Sequence, residues 1–128
     1  MNTTTITGHL VQDPELRFTA TGAPVTSFSV ADNRRWQDST TAEWQETTSY
    51  FDVVAWAELA ENVATSLKRG SRVTVTGRLE QRNWETSEGD KRSKVEIHAL
   101  DVSASLRYAT VEITKANRAG SDNRDDIE

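Results

Sequence analysis

The chain has 128 residues, a net charge of −5 and no cysteine. This length fits one domain, and the lack of cysteine excludes disulfides, thiol catalysis and zinc–cysteine sites. No apolar run approaches the roughly 20 residues of a membrane span, and the N-terminus has no signal-peptide pattern, so we expect a cytoplasmic protein.

Alternating apolar and polar residues, which are typical of β-strands, dominate the first half of the chain. In chain order they predict a first strand over residues 5–12, a short continuation over 16–19, a second strand over 25–34 and a third over 50–55. The polar stretch 35–48 has no regular period, so it predicts a long loop or a hairpin tip.

A helical period follows the third strand. Apolar residues recur at spacings of three and four from Trp56 to Leu67. This spacing predicts an amphipathic helix with Lys68 and Arg69 in its last turn and Gly70 beyond its end.

Alternation returns in the second half of the chain. It predicts a fourth strand over 73–79, a polar hairpin tip over 85–94, a fifth strand over 95–102 and a further strand at Tyr108–Lys115. Five strands with a helix between the third and fourth is the order of an OB-fold, an all-β Greek-key barrel whose closure removes free sheet edges. We therefore predict an OB-fold domain over residues 1–116, with an extra C-terminal strand, and a disordered acidic tail over 117–128.

Three of the four tryptophans stand in polar sequence, where a buried ring is not expected. Alternation along the fourth strand turns Leu79 inward and places Trp84 on the outer face in line with Arg78 and Arg82. On the third strand it places Tyr50 outside together with Asp52. Trp36 begins the polar stretch after two arginines.

The remaining two tryptophans allow two interpretations each. Trp56 stands at the strand–helix junction, where its ring either caps the barrel or meets a ligand. Trp44 has no strand register, and it either packs back on the barrel or is offered for binding.

Basic residues cluster near these rings although the chain is acidic overall. A mixed solvated surface would explain any one cluster, but several clusters beside tryptophans favour a flat, anionic ligand such as nucleobases on a phosphate backbone. Duplex DNA hides its base faces, so single strands are the better ligand. The candidate phosphate contacts are Arg34, Arg35, Arg72, Arg78, Arg82, Lys91 and Arg92.

From about Ile6 to Val102 the chain resembles the bacterial single-stranded DNA-binding proteins. The residues that carry this resemblance are Thr7–Arg17, Phe28–Ala31 leading to Trp36, Tyr50–Asn62, Leu67–Val73 with Gly77–Leu79, and Trp84. It implies an OB-fold that binds single-stranded DNA in replication, recombination and repair, or in competence or sporulation, without a cofactor. It also implies base stacking on Trp36, Tyr50, Trp56 and Trp84.

The segment Ser105–Thr110 followed by Val111–Ile113 is similar to the actinobacterial branch of this family. That resemblance implies a homotetramer in which the strand Tyr108–Lys115 clamps neighbouring subunits. Glu58 and Asn83 stand where the family commonly has a basic residue, so we expect fewer phosphate contacts. The family's tail ends in proline and phenylalanine and docks repair and replication proteins, whereas this sequence stops at residue 128. The chain is therefore either truncated or a paralogue with a reduced partner role.

Three other classes of protein are weighed against this interpretation. An enzyme is disfavoured because His9 and His98 are the only histidines and have no metal-ligand spacing. A primosome-type OB-fold scaffold, acting mainly through protein partners, is the main alternative. An oligosaccharide-binding OB-fold would also use exposed aromatic rings but has less need of arginines beside them.

Overall fold

The computed structural model of the protein describes residues 1–116, and the tail predicted over 117–128 lies outside the described residues. Six strands and one helix follow in chain order: β1 (Thr4–Leu10), β2 (Glu15–Phe18), β3 (Pro24–Gln37), β4 (Trp44–Trp56), α1 (Ala57–Ser66), β5 (Arg72–Glu85) and β6 (Lys91–Ala104). The short continuation predicted after the first strand is β2, and the helix lies where it was predicted, before β5.

Five of the strands close into a barrel in the order β1, β5, β6, β4 and β3, and β3 returns to β1. The pairing of β1 with β3 that closes the barrel consists of two residue pairs, His9 with Ala31 and Leu10 with Val30. β4 and β6 pair in parallel, and the other pairs are antiparallel. This is the predicted OB-fold, and β2 adds a sixth strand alongside β3.

The barrel interior is filled by the inward-facing half of each strand, and α1 contributes Val63 to it. The buried cluster comprises Leu10, Phe28, Val30, Val53, Val63, Val73, Val75 and Ile97. Because successive strand side chains face opposite sides, the residues between these positions form the outer face.

Closure depends on a glycine where β1 meets β3. A Cβ at Gly8 would collide with the carbonyl oxygen of Ala31 and with the side chain of Val30. Any larger residue therefore pushes the two strands apart at the point where the barrel closes.

Of the two alternatives predicted over 35–48, a long loop or a hairpin tip, the structure has a hairpin, but its tip is shorter than predicted because β3 and β4 continue past the barrel as a two-stranded ribbon. Their pairing runs out to Gln37 opposite Trp44, and residues 38–43 form the tip. Trp36 therefore lies on a strand rather than in a loop. A ribbon in solvent buries no apolar face, so its sequence carries no period-two signal.

Two further boundaries differ from the prediction. α1 ends at Ser66 and not at Lys68-Arg69, because Leu67 adopts extended backbone and packs against the core. Leu79, predicted inside, is 42% exposed, since β5 and β6 leave the barrel there and continue as a hairpin with its tip at 86–90.

The extra C-terminal strand is not formed within the single chain, where residues 105–116 have no strand. Arg72 holds the start of this segment: the N–H of Ser105 donates to its carbonyl oxygen at 2.8 Å, and Arg72 Nη1 donates to Ser105 Oγ at 2.6 Å. A strand requires a hydrogen-bonding partner. The pairing expected for Tyr108–Lys115 is with a neighbouring subunit, and it stays a prediction.

Candidate nucleic-acid interface

The outer sides of five adjacent strands form one continuous surface. β2, β3, β4, β6 and β5 lie side by side, and a groove of about 550 Å³ crosses them. Arg17 of β2 lies opposite Val25, which lies opposite Trp56, and Lys94 lies opposite Arg82 on the other side. We call this surface the groove face; it comprises Arg17, Ser27, Ser29, Asp52, Val54, Trp56, Arg82, Lys94 and Glu96.

Trp56 lines the groove at the end of β4. It is the N-cap residue of α1 and makes no side-chain capping bond. The next residue, Ala57, has a φ of 58°, a left-handed conformation that costs a non-glycine residue roughly 1 kcal/mol. The chain turns into the helix at this point while the Trp56 ring stays 45% exposed. The ring thus lines the groove rather than capping the barrel interior.

Cations and carboxylates are in contact inside the groove. Asp52 Oδ2 lies 3.0 Å from Lys94 Nζ, and Asp52 Oδ1 accepts a hydrogen bond from Ser29 Oγ at 2.6 Å. Burial opposes ionisation of Asp52, yet the Ser29 and Lys94 contacts together lower the pKa of its carboxyl. Among all charged groups lining the groove, three cations face two carboxylates. The groove is therefore only weakly positive.

Alternating charges continue from the groove along β5 and β6. Glu96 Oε1 lies 3.9 Å from Arg82 Nε and 3.3 Å from His98 Nε2. Glu80 Oε2 lies 3.6 Å from His98 Nδ1 and accepts a hydrogen bond from Arg78 Nε at 2.6 Å. The Arg78 bond lowers the pKa of Glu80 although desolvation opposes it. Arg78 is consequently engaged by a carboxylate in this structure.

Trp84 lies on the outer face of β5 beyond the groove, as the alternation predicted, and is 41% exposed. The Cζ atom of Arg82 lies 4.8 Å from the centroid of its ring. Arg92 lies opposite Trp84 on the same face, and Lys91, which lies opposite Glu85 and faces the other side of the hairpin, lines a hollow at the edge of the same ring. A base stacked on Trp84 would therefore have cations next to its phosphate.

The two faces of the β3–β4 ribbon carry different aromatic rings. Tyr50, 68% exposed, and Trp44, 63% exposed, share the face that continues the groove face, and Arg35 Cζ lies 5.1 Å from the Trp44 ring. Trp36, 39% exposed, lies on the reverse face with Arg34 at 5.1 Å. The structure thus brings Tyr50 to the groove face but not Trp36, and Trp44 is exposed rather than packed on the barrel.

Five of the seven predicted phosphate contacts lie beside an exposed tryptophan: Arg34, Arg35, Arg82, Lys91 and Arg92. Arg72 does not join them, because it lies at the opposite end of β5 and is bonded to Ser105. Arg78 lies on the outer face of β5, bonded to Glu80.

Sequence reasoning did not place Arg17 or Lys94 in the site. Lys94 follows Arg92 at the strand period of two, so the alternation that located Trp84 also points to it. Arg17 reaches the groove only because β2 pairs with β3, and no local pattern indicates that pairing. Within residues 1–116 no three acidic or histidine side chains are grouped as metal ligands, and no helix is long and apolar enough to span a membrane.

The barrel and its groove face define an OB-fold whose open surface combines aromatic rings with cations. The family model described as "Single-strand binding protein family" matches residues 1–105. This match covers most of the chain, so the chain belongs to that family, as the resemblance implied.

Relatives from actinobacteria agree with the branch indicated by the C-terminal segment. The chain is 51% identical over 119 residues to the "Single-stranded DNA-binding protein" of Mycolicibacterium smegmatis, covering 92% of this chain and 72% of that protein. It is 43% identical over 122 residues to the protein of the same name from Paenarthrobacter nicotinovorans, covering 94% and 72%. Among solved structures it is similar to "Plasmodium falciparum SSB complex with ssDNA", with a TM-score of 0.74, 26% identity and coverage of 81% of this chain and 94% of that chain.

Proposed function

We propose that this protein binds single-stranded DNA without sequence specificity, through the groove face and the rings around it. The observation that carries the proposal is one continuous surface on which exposed aromatic rings stand beside cations. Bases stack on Tyr50, Trp56 and Trp84, while phosphates contact the cations between and beside these rings. The names of the relatives and the ligand in the Plasmodium falciparum complex support the same class of ligand.

The phosphate contacts fall into groups of different strength. Arg82, Lys91 and Arg92 serve the ring of Trp84, and Arg17 and Lys94 serve the groove. Arg34 and Arg35 extend the path along the β3–β4 ribbon, where Trp36 is the fourth stacking ring. Because Trp36 lies on the reverse face, a strand must pass round the ribbon edge to reach it. Arg72 and Arg78 contribute least, because neither lines the groove and neither lies beside an exposed tryptophan.

Single strands fit this surface better than duplexes do. Stacking on an aromatic side chain is worth about 1–3 kcal/mol per base by alanine substitution, and every base has a π-face, so such binding tolerates any sequence. In a duplex those faces are covered by neighbouring bases. A surface of this kind protects strands that are exposed during replication, recombination and repair.

We place this activity in the cytoplasm, at the nucleoid, and assign it to binding rather than catalysis. A specialised role in competence or sporulation would use the same surface. A primosome-type scaffold that acts mainly through protein partners has less support, because such a scaffold has no need of rings paired with cations along one groove.

Tryptophan fluorescence provides the test of DNA binding. Thymidine oligomers should quench it, and the logarithm of affinity should fall against the logarithm of salt with a slope of about −0.7 for each phosphate neutralised. Tyr50→Ala should weaken binding by about 1–3 kcal/mol. Tyr108→Ala is the control for loss of an exposed tyrosine ring away from the groove, because Tyr108 is 75% exposed in the single chain and lies with Arg72. Light scattering on both variants checks that neither substitution changes the assembly. A flat salt response, or equal affinity for a duplex of the same length, would rule the proposal out.

We infer further that the protein assembles as a homotetramer in which Tyr108–Lys115 pairs with a neighbouring subunit. The apolar side chains of Val111 and Ile113 are exposed in the single chain, and closed symmetry would repeat a contact that covers them. Deleting residues 107–128 should lower both the mass in light scattering and the melting temperature. Deleting only 117–128 should change neither, and identical behaviour of the two truncations would contradict the clamp.

A further inference from the structure

The groove face carries a carboxylate in the path proposed for an anionic strand. Asp52 is bonded to Ser29 and Lys94, at 2.6 and 3.0 Å, and its side chain is 42% exposed. The other groove carboxylate, Glu96, is 11% exposed and contacts Arg82. Asp52 is therefore the carboxylate that a bound strand would meet.

We propose that Asp52 competes with DNA phosphate for the Lys94 ammonium and thereby limits the affinity of the groove. The inference rests on the proposed binding of single-stranded DNA and assigns a role to one residue within it. A half-exposed ion pair is weak in water, so a phosphate can take the ammonium over from the carboxylate. The displaced carboxylate then stays within a few ångströms of the phosphate and repels it.

A purely structural role for Asp52 is the competing explanation. The carboxylate joins β3 to β6 through Ser29 and Lys94, and such a tie would hold the groove in shape. Asn at this position keeps the volume and an oxygen that accepts the Ser29 hydrogen bond, but it carries no charge. Asp52→Asn therefore separates the effect of the charge from the effect of the shape.

Asp101→Asn is the matched control because it makes the same chemical change on β6. Asp101 lies opposite Thr76, six residues along β5 from the Arg82 that faces Lys94. At about 3.3 Å per residue this separation is roughly 20 Å, well beyond the Debye length of about 8 Å at physiological salt. A general change in net charge would affect both variants equally.

The experiment measures binding of a thymidine oligomer at several salt concentrations. Asp52→Asn should bind about three- to tenfold more tightly at low salt. Its salt slope should steepen by about 0.7, because the phosphate that binds Lys94 no longer displaces a carboxylate that then takes up a cation from solution. Asp101→Asn should bind within twofold of the unaltered protein, on the order of the noise in such titrations.

A double-mutant cycle with Lys94→Met tests whether the gain passes through Lys94. Lys94→Met should weaken binding in the protein that keeps Asp52. In the Lys94→Met background, Asp52→Asn should give no gain in affinity. The proposal is overturned by an Asp52→Asn affinity that is unchanged or weaker, by an equal gain in Asp101→Asn, or by a gain that survives Lys94→Met. If the unaltered protein bound no single strand, the proposed function itself would fall and this inference with it.

Discussion

The two faces of the β3–β4 ribbon lead to a prediction about the length of the bound strand. Trp56 lies in the groove, whereas Trp36 lies on the reverse face opposite Gln45. Trp56 is eleven positions along β4 from Gln45, which at about 3.4 Å per residue is roughly 37 Å. A thymidine oligomer of about five nucleotides spans roughly 17 Å at the stacked spacing of 3.4 Å. Even at about twice that spacing, it cannot reach both rings.

Trp36→Ala and Trp56→Ala should therefore respond differently to oligomer length. With about five nucleotides, Trp56→Ala should lose about 1–3 kcal/mol, which is roughly five- to 150-fold in affinity. Trp36→Ala should stay within about twofold, because the short strand occupies the groove and leaves the ribbon empty. With an oligomer of about 35 nucleotides, both variants should lose about 1–3 kcal/mol of binding free energy, because the longer strand reaches both rings.

Competition for a labelled oligomer at fixed salt measures both variants, and thermal melting shows whether each remains folded. If Trp36→Ala lost as much affinity for the short oligomer as Trp56→Ala does, Trp36 would belong to the groove face. The register of the ribbon would then be wrong. If Trp36→Ala binds the long oligomer as tightly as the unaltered protein does, Trp36 does not contribute to binding.

Two further predictions concern stability. Gly8→Ala should destabilise the fold by about 1–3 kcal/mol or more, because its Cβ meets the backbone of Ala31, and should lower the melting temperature by at least about 5 °C. Gly22→Ala, at a φ of 88° with no atom near the new Cβ, should cost only about 1 kcal/mol. Equal melting temperatures for the two variants would contradict the close approach of β1 to β3 at Gly8. The lowered pKa of Asp52 means that the folded chain binds this proton less readily than the unfolded chain. Its contribution to the free energy of unfolding is thus present above the ordinary pKa of 3.8 and lost as pH falls through the folded-state pKa. Asp52→Asn should reduce the fall of the urea midpoint as the pH is lowered. An unchanged fall would mean that the contacts of Asp52 with Lys94 and Ser29 do not stabilise the fold.

Local alternation predicted the elements that bury a face. It placed Trp84 and Tyr50 outside because their strands pack a core on the other side, and the element order predicted the barrel. The ribbon carrying Trp36 and Trp44 was not predicted, since neither of its faces is buried in a core and no period marks it. The end of α1 was missed because the packing of Leu67 against the barrel outweighs the local signal of Gly70.

The groove itself was only half predictable for a related reason. Lys94 was within reach of the same alternation, but Arg17 is separated from Lys94 by two strands, with β4 and β3 between β6 and β2. That neighbourhood arises from barrel closure and from the pairing of β2 with β3, which are contacts distant in sequence. Asp52 was placed on the outer face by alternation, yet its partnership with Lys94 depends on the parallel pairing of β4 and β6.

A chain of net charge −5 can bind a polyanion because electrostatic attraction acts locally. The Debye length is about 8 Å at physiological salt, so carboxylates on distant surfaces are screened from the strand. Yet the groove is nearly neutral too, because its three cations face two carboxylates, and an arginine covers one side of the Trp84 ring. Counterion release is then a smaller part of the binding free energy than in a strongly basic groove, and stacking on the rings is a larger part. Affinity should consequently depend more on ring substitutions than on salt, and Asp52 is the charge that most directly sets this balance.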